Sequence, residues 1–441
     1  MDWHEKYKDK IMSPEAACAL IRPGDTVMSN FGGSIPYALL DVLADYSLDH
    51  LEGVTLYLAG FFKPAKLAER AYNRHISVKS SFLGPFERRA MAAGSDLSYQ
   101  AMHLSNISLD KMGKHRPRVI LASGTEPDED GMISLGVAPF DPALLDYCET
   151  LIIQVNRSMP FVFGAGCMIP AARADALVPM DEELPVMDIP APNTEQRRIA
   201  AHIVEHIADG ACVQFGIGGI SAAIGEALTE KRDLGCHSEM LTDPLMKLMQ
   251  AGAINNSRKS FCPGKTVFTN ALGSRELYAW MDRNPDLEAH PCAWLNDPRN
   301  IARNDDMISV NGALCCDLTG QVCAESIGFR QFSGTGGQLD YVRGARWSRG
   351  GKSFLTFPSV HTDRDGTPRS NIALTLPAGS IVTTPRADVH YIVTEYGAAD
   401  LQDEPVDVRA KRLISIAHPD FRDKLLFDAK KAGYIITGAV T

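Results

Sequence analysis

Several stretches of this chain hold residue types at spacings that can do chemistry. Gln214-Phe215-Gly216-Ile217-Gly218-Gly219-Ile220 follows a strand-like run and precedes a helical pattern over 222–228. Glycines at a strand-to-helix turn let a ligand approach the backbone, and free N–H groups at a helix start stabilise an anion. A dinucleotide fingerprint is excluded, because Gly216-x-Gly218-x-x-Ser221 carries serine where a third glycine or alanine belongs. A tight turn with a purely structural task is the competing reading. Downstream lies Gly235-Cys236-His237-Ser238-Glu239-Met240-Leu241, where a second strand is expected to end beside the glycine turn. Ligands bind at the carboxyl edge of open α/β sheets, and a glutamate flanked by Met240 and Leu241 is unusual as a merely solvated group. His237 and Asp243 serve equally well as structural hydrogen-bonding groups. Cys236 and His237 do not read as a catalytic pair, since adjacent strand residues face opposite sides.

A further glycine cluster, Ser333-Gly334-Thr335-Gly336-Gly337-Gln338-Leu339-Asp340, is followed by Gly350-Gly351-Lys352-Ser353. Walker spacing is absent, because Gly336 and Gly337 lie far from Lys352. The segment is either a flexible glycine hairpin or a set of amides that holds an oxyanion, with Lys352 near a phosphate or carboxylate. Two other glutamates compete with Glu239 as nucleophile: Glu395 in Val393-Thr394-Glu395-Tyr396-Gly397, and Glu325 in Cys323-Ala324-Glu325-Ser326.

The elements that must position these groups alternate. β-Branched runs at 54–58, 118–122 and 150–155 intersperse with helical patterns, which predicts α/β architecture with mainly parallel strands. Ser13-Pro14-Glu15 predicts a capped helix start, and Thr194-Glu195 predicts a second helix running through Ile199, Ile203 and Ile207. An internal echo organises the chain. Ile21-Arg22-Pro23-Gly24-Asp25-Thr26-Val27 leads to Gly32-Gly33, and Ile207-Ala208-Asp209-Gly210-Ala211-Cys212-Val213 leads to Gly218-Gly219. The offset, 210 − 24 = 186 residues, is about one domain. Two tandem domains of related fold are expected, 1–186 and 187–441, joined through the proline-bearing stretch 185–192.

Composition narrows the function. At 441 residues, 45% hydrophobic and 22% charged, the chain has the make-up of a soluble two-domain protein. A net charge of −10 argues against nucleic-acid binding, which needs a basic face to displace counterions. Met1-Asp2-Trp3-His4-Glu5-Lys6 has no apolar core of a signal peptide, and no apolar run approaches the ~20 residues that cross a bilayer. The ten cysteines are scattered, and His361, His390 and His418 are dispersed, so free thiols in the cytoplasm and no metal are expected.

Taken together the motifs resemble the acetyl-CoA hydrolase/transferase family of class I CoA-transferases. The matching stretches are 216–220, 235–240, Asp317-Leu318-Thr319-Gly320-Gln321-Val322, 333–340, 393–397 and Ile416-Ala417-His418-Pro419-Asp420-Phe421-Arg422, in the family's order over nearly the whole chain. Cys236 and Ser238 depart from the residues expected around His237, and Ser221 stands where proline is common. The resemblance implies two tandem CoA-transferase-type domains, most CoA contacts lying in the second. It implies Glu239 as the nucleophile, and coenzyme A held by Gly216, Ile217, Gly218, Gly219, Ile220, Gly334, Gln338 and Lys352, with Asn311 a looser assignment. It implies acyl-CoA and small carboxylic acids as substrates, ping-pong exchange through a glutamyl-CoA thioester, and a homodimer or homotetramer. A CoA hydrolase on the same scaffold and a non-catalytic CoA-binding protein are the alternatives.

Overall fold

The computed structural model describes residues 2–108 and 113–435. The chain forms two compact units. One comprises Met1–Asp188 with Ser238–Asp243 and Lys265–Asn296, and the other comprises Ile189–His237, Pro244–Gly264 and Asp297–Thr441. Among the described residues no helix is long and apolar enough to cross a membrane.

In the first unit seven strands pair in parallel, in the order Ser98–Tyr99, Ile76–Ser80, Val54–Ala59, Thr26–Phe31, Val119–Gly124, Thr150–Val155 and Ala176–Pro179. The β-branched runs expected as strands fall on three of these. Val119–Gly124 is buried throughout, as a parallel strand covered on both faces must be. Helix Tyr37–His50 buries Leu39, Leu40 and Leu43 in the same core as Val27, Leu56 and Val119. The unit also holds the parallel pair Thr266–Ala271 and Leu287–Ala289.

The second unit repeats the plan. The start of strand Gly235–Leu241, up to His237, then Cys212–Phe215, Met307–Gly312, Lys352–Thr356 and Tyr391–Thr394 follow one another in the sheet, and Gly397–Asp400 closes it antiparallel. A core of Leu318, Val342, Leu355, Ile392 and Leu413 packs beneath it.

The sequence echo has a common physical basis. Gly24 and Gly210 both adopt left-handed backbone, φ +80° and +83°. Each donates its N–H at 2.9 Å to the carbonyl just ahead of the next strand, Glu52 for Gly24 and Arg232 for Gly210. The turn then feeds Thr26–Phe31 in one unit and Cys212–Phe215 in the other, each the strand on which the sheet order reverses. Helix starts also follow from local chemistry. Ser13 accepts from Ala16 N at 3.2 Å ahead of helix Pro14–Cys18. Asn193 and Gln196 cap each other reciprocally at the start of Thr194–Val204. That helix stops at Val204 instead of continuing to Ile207, because the chain must turn before Gly210 to enter its strand.

One buried carboxyl sets the end of a first-unit strand. Glu87 is fully buried and accepts from the N–H groups of Phe61 and, at 2.9 Å, Gly84. Burial pushes its pKa up from 4.5 to about 7, against the pull of those N–H donors. The folded form therefore holds the proton more tightly than the unfolded chain. Stability from this group is complete below pH 4.5 and is lost as pH rises through about 7. Denaturant midpoints measured from pH 4.5 to 7.5 should fall with rising pH in the wild type, and the slope should flatten in Glu87→Gln. Separately, Gly24→Ala forces a Cβ into left-handed backbone and should cost about 1 kcal/mol in the same assay, with Gly24→Asn milder.

Candidate functional site

The strand Gly235–Leu241 is buried over its first four residues and opens at Glu239 and Met240. Glu239 is half-buried, and its Oε2 accepts from Asn296 Nδ2 at 2.7 Å. Asn296 caps the C-terminus of the short helix Cys292–Leu295, its N–H bound to Cys292 O at 2.9 Å. That bond fixes the backbone from which the amide reaches Glu239. Asn296 itself is fully buried, and its Oδ1 has no hydrogen-bond partner among the described residues. The sequence reading missed Asn296. Its neighbours in His290-Pro291-Cys292-Ala293-Trp294-Leu295 give no catalytic signature.

His237 and Asp243, on either side of Glu239 in sequence, are held in structural hydrogen bonds. His237 is fully buried with its Nδ1 3.2 Å from Asn304 Nδ2 and its ring edge-on to Tyr341. Asp243 accepts from Ser274 N at 3.0 Å and from the Ser274 hydroxyl.

In the second unit the glycine turn leaves the carboxyl end of Cys212–Phe215. Gly218 has φ +106° and caps helix Gly219–Ala227, so this turn requires glycine. A Cβ built on Gly216 or Gly218 would meet nothing within 4 Å, which leaves the backbone open to a ligand. Ile217 stands about half exposed between them. Phe215 pairs in register with Val310, so Gly216 and Asn311 leave the sheet side by side. Gln214, Ser309 and Asn311 form a chain of side-chain hydrogen bonds at 3.1 and 2.9 Å beneath them. Gln338, first residue of helix Gln338–Trp347, donates to Gly312 O at 2.8 Å and accepts from Thr384 at 2.9 Å. The sequence-predicted residues 216–220, Asn311 and Gln338 thus share one sheet edge, with Gly334 in the loop entering that helix.

The structure does not bring Lys352 to this edge. Lys352 begins its strand opposite Ile308, whereas Asn311 pairs with Leu355, three residues and about 10 Å further along. Its ammonium donates to His206 O at 3.1 Å. Glu395 is 9% exposed and accepts from Ser359 N at 2.9 Å and from the Ser359 hydroxyl, which commits both its oxygens. Glu325 is 3% exposed and turned toward the glycine loop. Of the three glutamates, Glu239 alone is partly open to solvent, and the Asn296 amide donates to it.

Residues 1–190 match the acetyl-CoA hydrolase/transferase N-terminal domain, and residues 273–429 match the C-terminal domain of the same family. Succinyl-CoA:cyclohexane-1-carboxylate CoA transferase of Geobacter metallireducens is 37% identical over 98% of both chains. The chain belongs to the acetyl-CoA hydrolase/transferase family. The 4-hydroxybutyrate coenzyme A transferase of Clostridium kluyveri is 34% identical over 98% of this chain and all of the relative. The crystal structure of RipA from Yersinia pestis superposes with a TM-score of 0.90 at 33% identity, over 99% of this chain and all of that one.

The protein is thus a CoA-transferase, and the carboxyl edges of its sheets carry the residues just described. Removing the Asn296 donor deletes one hydrogen bond to a carboxylate, worth about 1.5–3 kcal/mol. Asn296→Ala should therefore lower the rate of CoA transfer roughly ten- to hundredfold. Asn296→Asp, which sets a second carboxylate against Glu239, should lose more. Steady-state kcat with circular dichroism on each variant checks both.

Proposed function

We propose that this CoA-transferase moves coenzyme A from a short-chain acyl-CoA to a small carboxylic acid, with Glu239 as the covalent nucleophile. The observation that carries the reading is a half-buried carboxylate near the carboxyl end of a parallel strand, to which a buried amide, that of Asn296, donates. A Glu239 oxygen attacks the acyl carbonyl carbon, the C–S bond breaks, and CoA thiolate leaves a mixed anhydride. The thiolate attacks the glutamyl carbonyl carbon and expels the first acid as its carboxylate, forming a glutamyl-CoA thioester. The incoming carboxylate then attacks that thioester, and the released thiolate attacks the new acyl carbon, which regenerates Glu239. No proton or water is consumed, so the thioester bond energy is retained. Each addition develops an oxyanion, and one well-placed donor for such a charge is worth about 3 kcal/mol. The open backbone at Gly216 and Gly218, the N-terminus of helix Gly219–Ala227, and Gly334 are the groups we assign to coenzyme A, together with Ile217, Gly219, Ile220, Asn311 and Gln338.

The relatives act, by their names, on succinyl-CoA with cyclohexane-1-carboxylate and on 4-hydroxybutyrate. The acids we propose here are of that class: acetate, butyrate, 4-hydroxybutyrate, or a dicarboxylate such as succinate or itaconate. The same reading makes the protein a cytoplasmic homodimer or homotetramer, with CoA-transferase-type domains over 1–186 and 187–441.

Incubation with acetyl-CoA, butyryl-CoA or succinyl-CoA, without an acceptor, tests the mechanism by intact mass and peptide mapping. A CoA-sized adduct on the Glu239 peptide, absent in Glu239→Gln, is expected. An adduct on Glu395 or Glu325 would overturn the site. Release of CoA with steady hydrolysis and no transfer to added acids would make the protein a hydrolase instead.

A further inference from the structure

Glu325 sits in the link between the strand Val322–Cys323 and the hairpin formed by Ser326–Ile327 and Arg330–Gln331. It is buried to 3% exposure, which is costly for a carboxylate unless its oxygens are engaged. They are engaged by the glycine loop and its approach. Oε2 accepts from Gln331 Nε2 at 3.0 Å, and the Thr335 hydroxyl lies 3.4 and 3.5 Å from the two oxygens. The Gln331 amide also donates to Ser333 O at 3.1 Å, so it bridges Glu325 to the loop backbone. The Glu325 carbonyl adds two bonds, from Phe332 N at 2.8 Å and Ser333 N at 3.1 Å.

One residue therefore grips the entry of the loop through its main chain and the middle of the loop through its side chain. The exit is pinned separately, where Gln338 bridges Gly312 O and Thr384. A segment reading Ser333-Gly334-Thr335-Gly336-Gly337 has high backbone entropy, and ordering costs on the order of 1–2 kcal/mol per residue. If that cost fell at binding it would be subtracted from ligand affinity. A buried carboxylate between two fixed strands removes it beforehand.

We propose that Glu325 is the positioning residue that pre-organises the glycine loop 333–337 for coenzyme A, acting through Gln331 and Thr335. This rests on the assignment of that loop to coenzyme A. It also gives Glu325 a role distinct from nucleophilic attack. Loss of the carboxylate should weaken binding of the CoA portion, common to free CoA and every acyl-CoA, and spare the acid.

The test compares wild type, Glu325→Ala, Glu325→Gln and Thr335→Val by calorimetric titration with free CoA and by steady-state kinetics with acyl-CoA and acid. In Glu325→Ala the Kd for CoA and the KM for acyl-CoA should rise about tenfold, the loss of a hydrogen bond to a charged group. The KM for the acid should stay within about twofold. Glu325→Gln keeps an oxygen that accepts from Gln331 and should recover most of the affinity. Thr335→Val should show a smaller shift of the same kind. Equal CoA affinity in wild type and Glu325→Ala overturns the proposal, as does a loss confined to kcat that Glu325→Gln does not rescue. Should Glu325→Ala fail to fold, Glu325→Asp and Thr335→Val decide it, since unchanged CoA affinity in both contradicts the role. A wild type that neither binds nor transfers CoA refutes the underlying functional reading instead, and the two failures are told apart by the wild-type titration.

Discussion

Both units rest on largely parallel sheets whose central strands are buried on each face, and this constraint decides where chemistry can occur. A strand such as Val119–Gly124 has no exposed residue, so it offers no side chain to solvent except beyond its ends. Functional groups are forced to the carboxyl edges, where strands give way to turns and helices begin. Gly235–Leu241 shows the rule within a single element. Four buried residues hold it in place, and the fifth, Glu239, is the first to meet solvent. Asn296 then supplies what an emerging carboxylate lacks, a fixed donor that does not move with solvent.

The fold was legible because its signals are local. β-Branched runs marked the strands, and Ser13 marked its helix start. The glycine echo was visible because left-handed backbone selects glycine at Gly24 and Gly210. What local signals do not carry is partnership. Asn296 lies 57 residues from Glu239 in sequence, and its amide donates to that carboxylate from the end of a four-residue helix. Lys352 looked like an anion ligand by proximity to glycines, but strand register sets it at the opposite end from Asn311. The helix expected to reach Ile207 obeys its apolar period only until the turn before Gly210 takes precedence.

The three glutamates show how identical chemistry is sorted by surroundings. In sequence each sits next to an apolar or small residue and follows strand-like character. In the fold Glu395 is enclosed by Ser359 and Glu325 by Gln331 and Thr335. For such carboxylates, attack on an electrophile would require breaking the bonds that make their burial tolerable. Glu239 keeps only part of its surface covered.

The division of the chain between the units bears on how the protein is made. The first unit is not complete at Asp188; it also needs Ser238–Asp243 and the segment ending at Asn296. Those last residues emerge from a ribosome 296 − 188 = 108 residues later, a delay of about 5–20 s at ordinary elongation rates. During that interval the seven-stranded sheet can close, yet Asn296, whose amide donates to Glu239, has not been synthesised. Completion of the surroundings of Glu239 is therefore a late event in biosynthesis, and a nascent chain stalled before Asn296 carries Glu239 without that amide donor.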